Sequence, residues 1–206
     1  MRLGEGIGDI EGAVADNDSD VIVPPTRLVE PTEVDRLADK MFQPLIEHFD
    51  DVAVVRDAVL MAVSELCQNG VEHGVNPSGC VVAASRGEAN GMTTVMLGIG
   101  DRGDGIPDHI RRSHPELLVD EHAIGQALQE GVSGTNRPDR GYGFSWVLKE
   151  TLSSAASSAE MFIRAGQGTF RREIVDARVK DDGWRSAFTK GTWIACDWTT
   201  IPRLDR

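Results

Sequence analysis

The chain has 206 residues, 40% of them apolar, and a formal net charge of −12 at pH 7. This length and apolar content predict one compact domain with its own hydrophobic core. The acidic charge argues against non-specific binding to nucleic acid or to an anionic membrane surface, because both would repel the chain.

The sequence contains no apolar run that approaches the ~20 residues of a membrane span, and its N-terminus lacks the apolar core of a secretory signal. Three cysteines, Cys67, Cys80 and Cys196, have no C-x-x-C spacing. This pattern favours neither a disulfide framework nor a zinc site. We therefore expect a cytoplasmic protein in a reducing compartment.

Residues 1–20 are rich in glycine and acidic residues and predict a flexible leader ahead of a domain over residues 21–206. A short strand over residues 21–23 is expected to end before Pro24 and Pro25.

Two helices should follow. Pro31 is a typical helix start, and Pro44 predicts a kink or a break in that helix. The second helix is expected to begin at Asp50, with acidic residues at its positive end, and to stop at Gly74. It carries a wide apolar stripe, made by Val54, Val55, Ala58, Val59, Ala62, Val63 and Leu66.

Residues 80–84 and 93–99 read as two strands, and the Asn90-Gly91 pair between them is a hairpin signal. The segment 106–140 lies between glycine-rich boxes and predicts a mobile lid that contains a short helix over residues 123–130.

A further helix is predicted over residues 144–152. Later strands are predicted over residues 161–163, 170–175 and 192–198. Glycines predict turns between them at residues 166–168 and 181–183.

The second helix carries Glu65 and Asn69 at i and i+4, so both side chains lie on one helix face. An amide oxygen at Asn69 is a suitable ligand for a Mg²⁺ ion that also holds phosphates, and the Glu65 carboxylate can accept a proton from water or a hydroxyl. His73, one turn further, could reach phosphate oxygens. The alternative is a polar helix face that simply meets solvent.

A D-x-G-x-G box follows the second strand of the hairpin, with Asp101, Gly103 and Gly105 as its defined positions. A carboxylate at a strand end can accept a hydrogen bond from an exocyclic amine such as adenine N6, and the glycines allow close backbone approach to a ring. The alternative is an ordinary turn in a chain rich in glycine and acid.

A glycine turn that opens a helix follows the expected lid and contains Gly141, Tyr142, Gly143 and Phe144. The first backbone N–H groups of such a helix can face phosphates. Arg137 or Arg140 could neutralise phosphate charge, although a solvated surface position is the simpler role for either.

The sequence lacks the motifs of other nucleotide-binding and hydrolase classes. The sequence has no G-x-x-x-x-G-K-[ST] loop, no H-R-D or D-F-G pair, no G-x-S-x-G elbow and no H-E-x-x-H zinc spacing.

The three boxes, in this order, resemble those of the GHKL ATPases, which include histidine-kinase catalytic domains and bacterial anti-sigma-factor kinases. The Gly191-Thr192 pair is similar to a late strand motif of that family. The resemblance implies a Bergerat fold, an α/β (α+β) two-layer sandwich with helices on one face of a mixed, mainly antiparallel sheet.

The resemblance also implies ATP and Mg²⁺ as cofactors and a role for each matched residue. Asn69 would coordinate Mg²⁺, Asp101 would bind the adenine amine, Thr192 would lie near the adenine, and Glu65 would be the general base. The remaining matched positions would shape the base pocket or flank the phosphates; they are Gly103, Gly105, Ser133, Gly134, Thr135, Gly141, Tyr142, Gly143 and Phe144.

Within the family, Glu65 to His73 look most like the anti-sigma-factor kinases, although Gly70 stands where alanine is usual. This implies transfer of the γ-phosphoryl group to a serine or threonine of a partner, a STAS-type protein or a sigma-factor regulator. A non-catalytic ATP-gated switch and a stand-alone histidine-kinase-like catalytic domain or ATPase are the alternatives. The oligomeric state is left open, a homodimer included.

Overall fold

The computed structural model describes residues 19–48, 53–74, 78–129, 158–175 and 178–200. Most of the predicted leader and the predicted helix over residues 144–152 lie outside these ranges. The described elements, in chain order, are β1 Ser19–Leu28, α1 Pro31–His48, α2 Ala53–His73, β2 Cys80–Ala89, β3 Met92–Asp101, α3 Ile106–Arg111, α4 Asp120–Ala127, β4 Ser158–Val175 and β5 Arg178–Thr200.

The five strands form one sheet in the order β1-β2-β3-β5-β4. Every pairing between these described strands is antiparallel, whereas the expected sheet was mixed and mainly antiparallel. The strand β5 comes last in sequence but lies between β3 and β4. It therefore has neighbours on both edges.

One face of the sheet carries the core. Val82, Ile99, Ile194 and Ile163 lie in register on four neighbouring strands, and all four are buried. Side chains from α1, α2 and α4 join them in one hydrophobic cluster, which contains Met41, Leu66 and Ile124. These helices therefore form a second layer on that face, and the fold is a two-layer α+β structure.

Two elements continue past prolines at which the sequence predicted the end of a strand and a kink or a break in a helix. β1 continues past Pro24 and Pro25 because it is an edge strand whose register shifts on both sides of Val23, so the ladder needs no N–H there. Helix α1 continues past Pro44 to His48. The neighbouring Leu45 is fully buried, and this burial offsets the lost backbone hydrogen bond.

The β2–β3 hairpin is confirmed. Asn90 and Gly91 have φ angles of 53° and 72°, which are the two left-handed positions that a tight two-residue turn requires. Both strands are longer than predicted and run from Cys80 to Asp101 in unbroken register.

The turn predicted at residues 181–183 is wrong, and the one predicted at residues 166–168 is a bend within a continuous strand. Residues 181–183 lie within β5 and pair with 170–172 of β4, whereas residues 166–168 shift the register inside one long strand. An ion pair between Arg171 and Glu160 at 2.6 Å shows that β4 bends at residues 166–168. Eleven residues of straight strand would separate those residues by roughly 36 Å.

The first part of the predicted lid is packed structure. Residues 106–129 contain α3, which was not predicted, and α4, which begins three residues before the predicted helix. Arg111 donates to the carbonyl oxygens of Leu117 and Leu118 and forms an ion pair with Asp120. The Asp120 carboxylate also accepts the Gln167 N–H at 2.6 Å, which ties both helices to the bend in β4.

None of the helices in the described ranges is both long and apolar enough to cross a membrane.

The two-layer packing makes a stability prediction. Val82 is 0% exposed in the core face, whereas Val179 is 59% exposed on β5. Val82→Ala should lower the free energy of unfolding by about 1.5–3 kcal/mol, since it removes two buried methyl groups and leaves a cavity. Val179→Ala should change it by less than about 0.5 kcal/mol. Urea unfolding of both variants measures this, and equal effects would contradict the assigned faces.

Candidate functional site

The site is centred on Asp101, the last residue of β3. Its Oδ1 accepts the Gly103 backbone N–H at 2.7 Å, and its carboxylate also accepts the Thr192 backbone N–H from β5. Burial raises the pKa of Asp101, while the two hydrogen bonds and the nearby His73 act in the opposite direction. The carboxylate is therefore held between the end of β3 and the middle of β5.

Two glycines let the backbone close around Asp101. A Cβ atom on Gly103 would clash with the backbone oxygen of His73 at the end of α2. A Cβ atom on Gly191, which has a φ of +78°, would clash with the backbone oxygen of Asp101. The D-x-G-x-G loop is therefore pressed between the end of α2 and β5.

Thr192 links β5 to the start of α3. Its Oγ1 accepts the Ile106 backbone N–H at 3.2 Å, and its side chain is buried. Gly105, just before α3, has a φ of +85°. The structure thus brings together Asp101, Gly103, Gly105 and Thr192, which the sequence singled out separately.

Helix α2 presents the other predicted residues. Glu65, Asn69 and His73 follow one another at four-residue spacing, with Glu65 and Asn69 half-buried and His73 exposed at the helix end. The backbone oxygen of His73 packs against Gly103. The C-terminal end of the helix face that carries these three residues therefore lies at the Asp101 loop. Among the described residues, neither the Glu65 nor the Asn69 side chain has a hydrogen-bond partner.

The glycine at position 70 has a packing explanation. A Cβ atom at this position would lie 2.7 Å from Cβ and 3.2 Å from Sγ of Cys80, the β2 residue paired with Asp101. The Cys80 thiol contacts the Cys67 backbone oxygen at 3.6 Å. A hydrogen bond to Cys80 and burial raise the pKa of Cys67. A glycine at position 70 therefore lets α2 approach the sheet beside Asp101.

A pair of histidines borders the site. The rings of His73 and His109 lie 4.4 Å apart at an angle of 43°. Burial and, to a smaller extent, the charges of His73 and Arg112 lower the pKa of His109 to about 4, while the charge of Asp104 acts in the opposite direction. Sequence reasoning missed His109. The available signal was its place one helical turn after Gly105, whose oxygen accepts its N–H at 3.2 Å.

Within the described ranges, no three histidine, cysteine or carboxylate side chains come together in a way that would hold a metal ion. A cavity of about 480 Å³ lies elsewhere, between α4 and the β4–β5 hairpin, with Glu121, Phe170 and Asp181 in its wall.

Seven of the predicted phosphate-side residues lie outside the described residues; they are Ser133, Gly134, Thr135, Gly141, Tyr142, Gly143 and Phe144.

No protein-family model matches the chain, and no curated protein sequence matches it significantly.

The histidine pair makes a titration prediction. His109 should stay neutral until the pH falls to about 4, because burial and the neighbouring cations disfavour its charged form. The unfolded chain takes up this proton near pH 6.5, so this group's contribution to stability falls as the pH drops from about 6.5 to 4. An NMR titration of the imidazole measures the midpoint.

The matched variant is His73→Gln, which removes one of the cations near His109 and should raise its midpoint part of the way toward 6.5. A midpoint near 6.5 in the unsubstituted protein would contradict the buried ring pair.

Proposed function

We propose that the chain is an ATP-binding regulatory protein of the GHKL type with a Bergerat fold. The observation that carries this proposal is the Asp101 carboxylate, half-buried at the end of β3 and held by the N–H groups of Gly103 and Thr192. This carboxylate lies beside the end of the helix that presents the E-x-x-x-N stripe. The E-x-x-x-N box and the D-x-G-x-G box, which are far apart in sequence, thus lie next to each other.

The proposed base-binding group is Asp101. A carboxylate has about four acceptor positions, and two accepted N–H groups leave capacity for an exocyclic amine. Adenine carries a donor at its 6-position, whereas guanine carries a carbonyl acceptor there. A carboxylate that faces the 6-position should therefore accept a hydrogen bond from adenine and repel the carbonyl oxygen of a guanine bound in the same orientation. Thr192 is bonded to both the Asp101 carboxylate and the start of α3, and it would border the same pocket.

The proposed phosphate end lies along α2. Asn69 would give one amide oxygen to Mg²⁺, which commonly takes one or two protein ligands together with phosphates and waters. Bound Mg²⁺ would neutralise charge on the transferred phosphoryl group. His73 ends this helix face, and its ring lies 4.4 Å from that of His109, so a ring N–H at either position could donate a hydrogen bond to a phosphate oxygen.

The proposed reaction is transfer of the γ-phosphoryl group to a serine or threonine hydroxyl of a STAS-type partner or a sigma-factor regulator. The hydroxyl oxygen forms the new P–O bond, the bond to the β-phosphate oxygen breaks, and ADP leaves. Glu65 would accept the hydroxyl proton and orient the attacking oxygen. Catalysis of this kind rests mainly on positioning and charge neutralisation.

A non-catalytic ATP-gated switch is the second candidate. The observation that favours it is the Glu65 side chain, which has no orienting hydrogen-bond partner among the described residues. Activated carboxylates and nucleophiles in enzymes are commonly oriented by a further group. In this alternative, ATP would change affinity for a partner without turnover.

Asp101→Asn tests the adenine contact. The change keeps the size of the side chain but removes its charge, and it should weaken Mg-ATP binding by roughly 10- to 100-fold, the value of one hydrogen bond to a charged group. Calorimetric titration with Mg-ATP and Mg-GTP measures this, and the unsubstituted protein should prefer ATP.

Asp104→Asn is the matched control, because Asp104 belongs to the same box but is exposed and paired with Arg112 at 2.7 Å. It should leave ATP affinity within about twofold, as expected for a surface ion pair. Equal affinity for ATP and GTP, or equal loss in both variants, would contradict the role of Asp101.

Glu65→Gln separates the enzyme from the switch. It should retain Mg-ATP affinity and lower phosphoryl transfer or phosphate release at least about 100-fold, the usual contribution of a general base. The assay follows phosphate release from Mg-ATP alone and phosphorylation of an added STAS-domain protein.

Glu72→Gln, an exposed carboxylate on the same helix, is the control and should keep full turnover. ATP binding without any turnover in the unsubstituted protein would favour the switch. Unchanged turnover in Glu65→Gln would exclude Glu65 as the base.

A further inference from the structure

The cavity of about 480 Å³ between helix α4 and the β4–β5 hairpin has the size of a small-molecule site. Pockets that bind small ligands commonly enclose roughly 300–1,000 Å³. All of its lining residues lie outside α2, the D-x-G-x-G loop and the Gly191-Thr192 pair, so it is separate from the site around Asp101. We call this space the hairpin cavity. Its wall includes Leu117, Glu121, Gln126, Phe170 and Asp181.

Two glycines of β4 let the hairpin press against the start of α4. A Cβ atom on Gly166, which has a φ of +60°, would clash with the Asp120 carboxylate. A Cβ atom on Gly168 would lie 2.6 Å from the backbone nitrogen of Glu121. These backbone contacts fix the start of α4 against β4. The walls of the hairpin cavity are therefore held in place before any ligand binds, which favours affinity.

The apolar part of the wall is formed by Phe170 and Leu117. Phe170 is 8% exposed and belongs to the main hydrophobic cluster, so its ring is held in place. Two glycines of the wall lie next to this ring. A Cβ atom on Gly125 of α4 would lie 3.0 Å from it, and a Cβ atom on Gly183 of β5 would lie 3.5 Å from it. The absence of side chains at both positions keeps the space beside the ring open.

The wall also carries a carboxylate that no cation compensates. Asp181 is bound by Arg172 through two hydrogen bonds of 2.7 Å. Glu121 is half-buried and makes no hydrogen bond or ion pair in the part of the chain that the structure describes. Its place in the first turn of α4 favours a negative charge, but the helix dipole occupies neither carboxylate oxygen. Both oxygens of Glu121 can therefore accept hydrogen bonds from a ligand.

We propose that the hairpin cavity binds a guanidinium group on a short apolar stem. The planar guanidinium can donate two parallel hydrogen bonds to the oxygens of Glu121, and the amide oxygen of Gln126 can accept a further one. A guanidinium also stacks on an aromatic ring, which suits Phe170. The stem lies against Leu117.

The charge of the wall selects this class of ligand over anionic and neutral ones. An anion would face the Glu121 carboxylate, and no lysine or arginine is among the described residues that line the cavity. A neutral apolar ligand would cover Glu121 without giving it a donor, which costs free energy. Guanidinium groups occur in free guanidino compounds and in the arginine side chains of proteins. The exposed His122 and Gln129 border the cavity, so it opens to solvent and either source can reach it.

The first experiment titrates butylguanidinium into the full chain without nucleotide and follows the amide NMR spectrum. The resonances of Gly125 and Gly183 should shift and saturate in the millimolar range, as expected for a ligand of about eight heavy atoms. The resonance of Gly103, in the Asp101 loop, should not move. Butylurea has the same shape without the charge, and it should bind at least about tenfold more weakly, since it lacks the charged hydrogen bonds to Glu121.

Glu121→Gln tests the carboxylate. It should weaken butylguanidinium binding at least about tenfold, the value of a hydrogen bond to a charged group. Glu30→Gln is the matched control, because it makes the same change of net charge at an exposed position before α1. It should leave the affinity within about twofold, since a distant surface charge contributes little. This control separates contact in the cavity from general attraction of a cation to a chain of net charge −12.

Gly183→Val tests the space itself. The added side chain should fill the cavity beside Phe170 and lower the affinity at least about tenfold. Gly87→Val is the matched control on β2, where a Cβ atom would meet nothing within 4 Å, and it should bind like the unsubstituted protein. Valine suits a strand at both positions, and the amide spectrum shows whether each variant is folded. If Gly183→Val does not fold, Glu121→Gln decides.

A second ligand identifies the source of the guanidinium. N-acetyl-arginine methylamide presents the group as a protein side chain does. Binding as tight as that of butylguanidinium would assign the cavity to an arginine of a partner protein, whereas binding of butylguanidinium alone would assign it to a free guanidino compound.

Three results would each overturn the proposal. They are the absence of saturable shifts up to about 50 mM butylguanidinium, equal binding of butylurea, and full affinity in Glu121→Gln. All of these measurements are made without nucleotide, so their outcome is independent of the proposed function.

Discussion

The closure of the Asp101 loop between β3 and β5 is the contact on which the site depends. The Asp101 carboxylate accepts N–H groups from Gly103 and Thr192, and its backbone oxygen leaves no room for a side chain at Gly191. The contact between the Asp101 loop and Thr192 requires β5 to lie beside β3, as it does in the sheet. The end of α2 then rests on Gly103, which brings the E-x-x-x-N helix to the same edge of the sheet.

Local chemistry predicted much of the first half of the fold. The Asn90-Gly91 turn and the apolar stripe of α2 were recognisable because short-range backbone preference and helical spacing are written in neighbouring residues. The β4–β5 hairpin was not, since the glycines at residues 166–168 produce a bend that only tertiary contacts such as Arg171–Glu160 reveal. The effect of the prolines was also not predictable from neighbouring residues. The edge position of β1 and the burial of α1 determine that these elements tolerate them.

The candidate site was likewise only partly predictable from the sequence. The boxes identified Asp101, Gly103, Gly105 and Thr192, and these residues do meet. His109 and the Gly70–Cys80 contact were not predictable, because each depends on how α3 or β2 packs against α2. The sheet thus has one end that carries the candidate pocket.

The position of β5 between β3 and β4 has a consequence for how the chain is made. The hydrogen bond from Ile106 to Thr192 spans 86 residues, and β4 pairs with no described strand except β5. During synthesis, β3 therefore keeps an unpaired edge and β4 lacks its described partner in the sheet until β5 leaves the ribosome. Contacts this distant form slowly, and exposed strand edges invite pairing with other chains. A chaperone that covers the edge of β3 would protect the nascent protein during this interval.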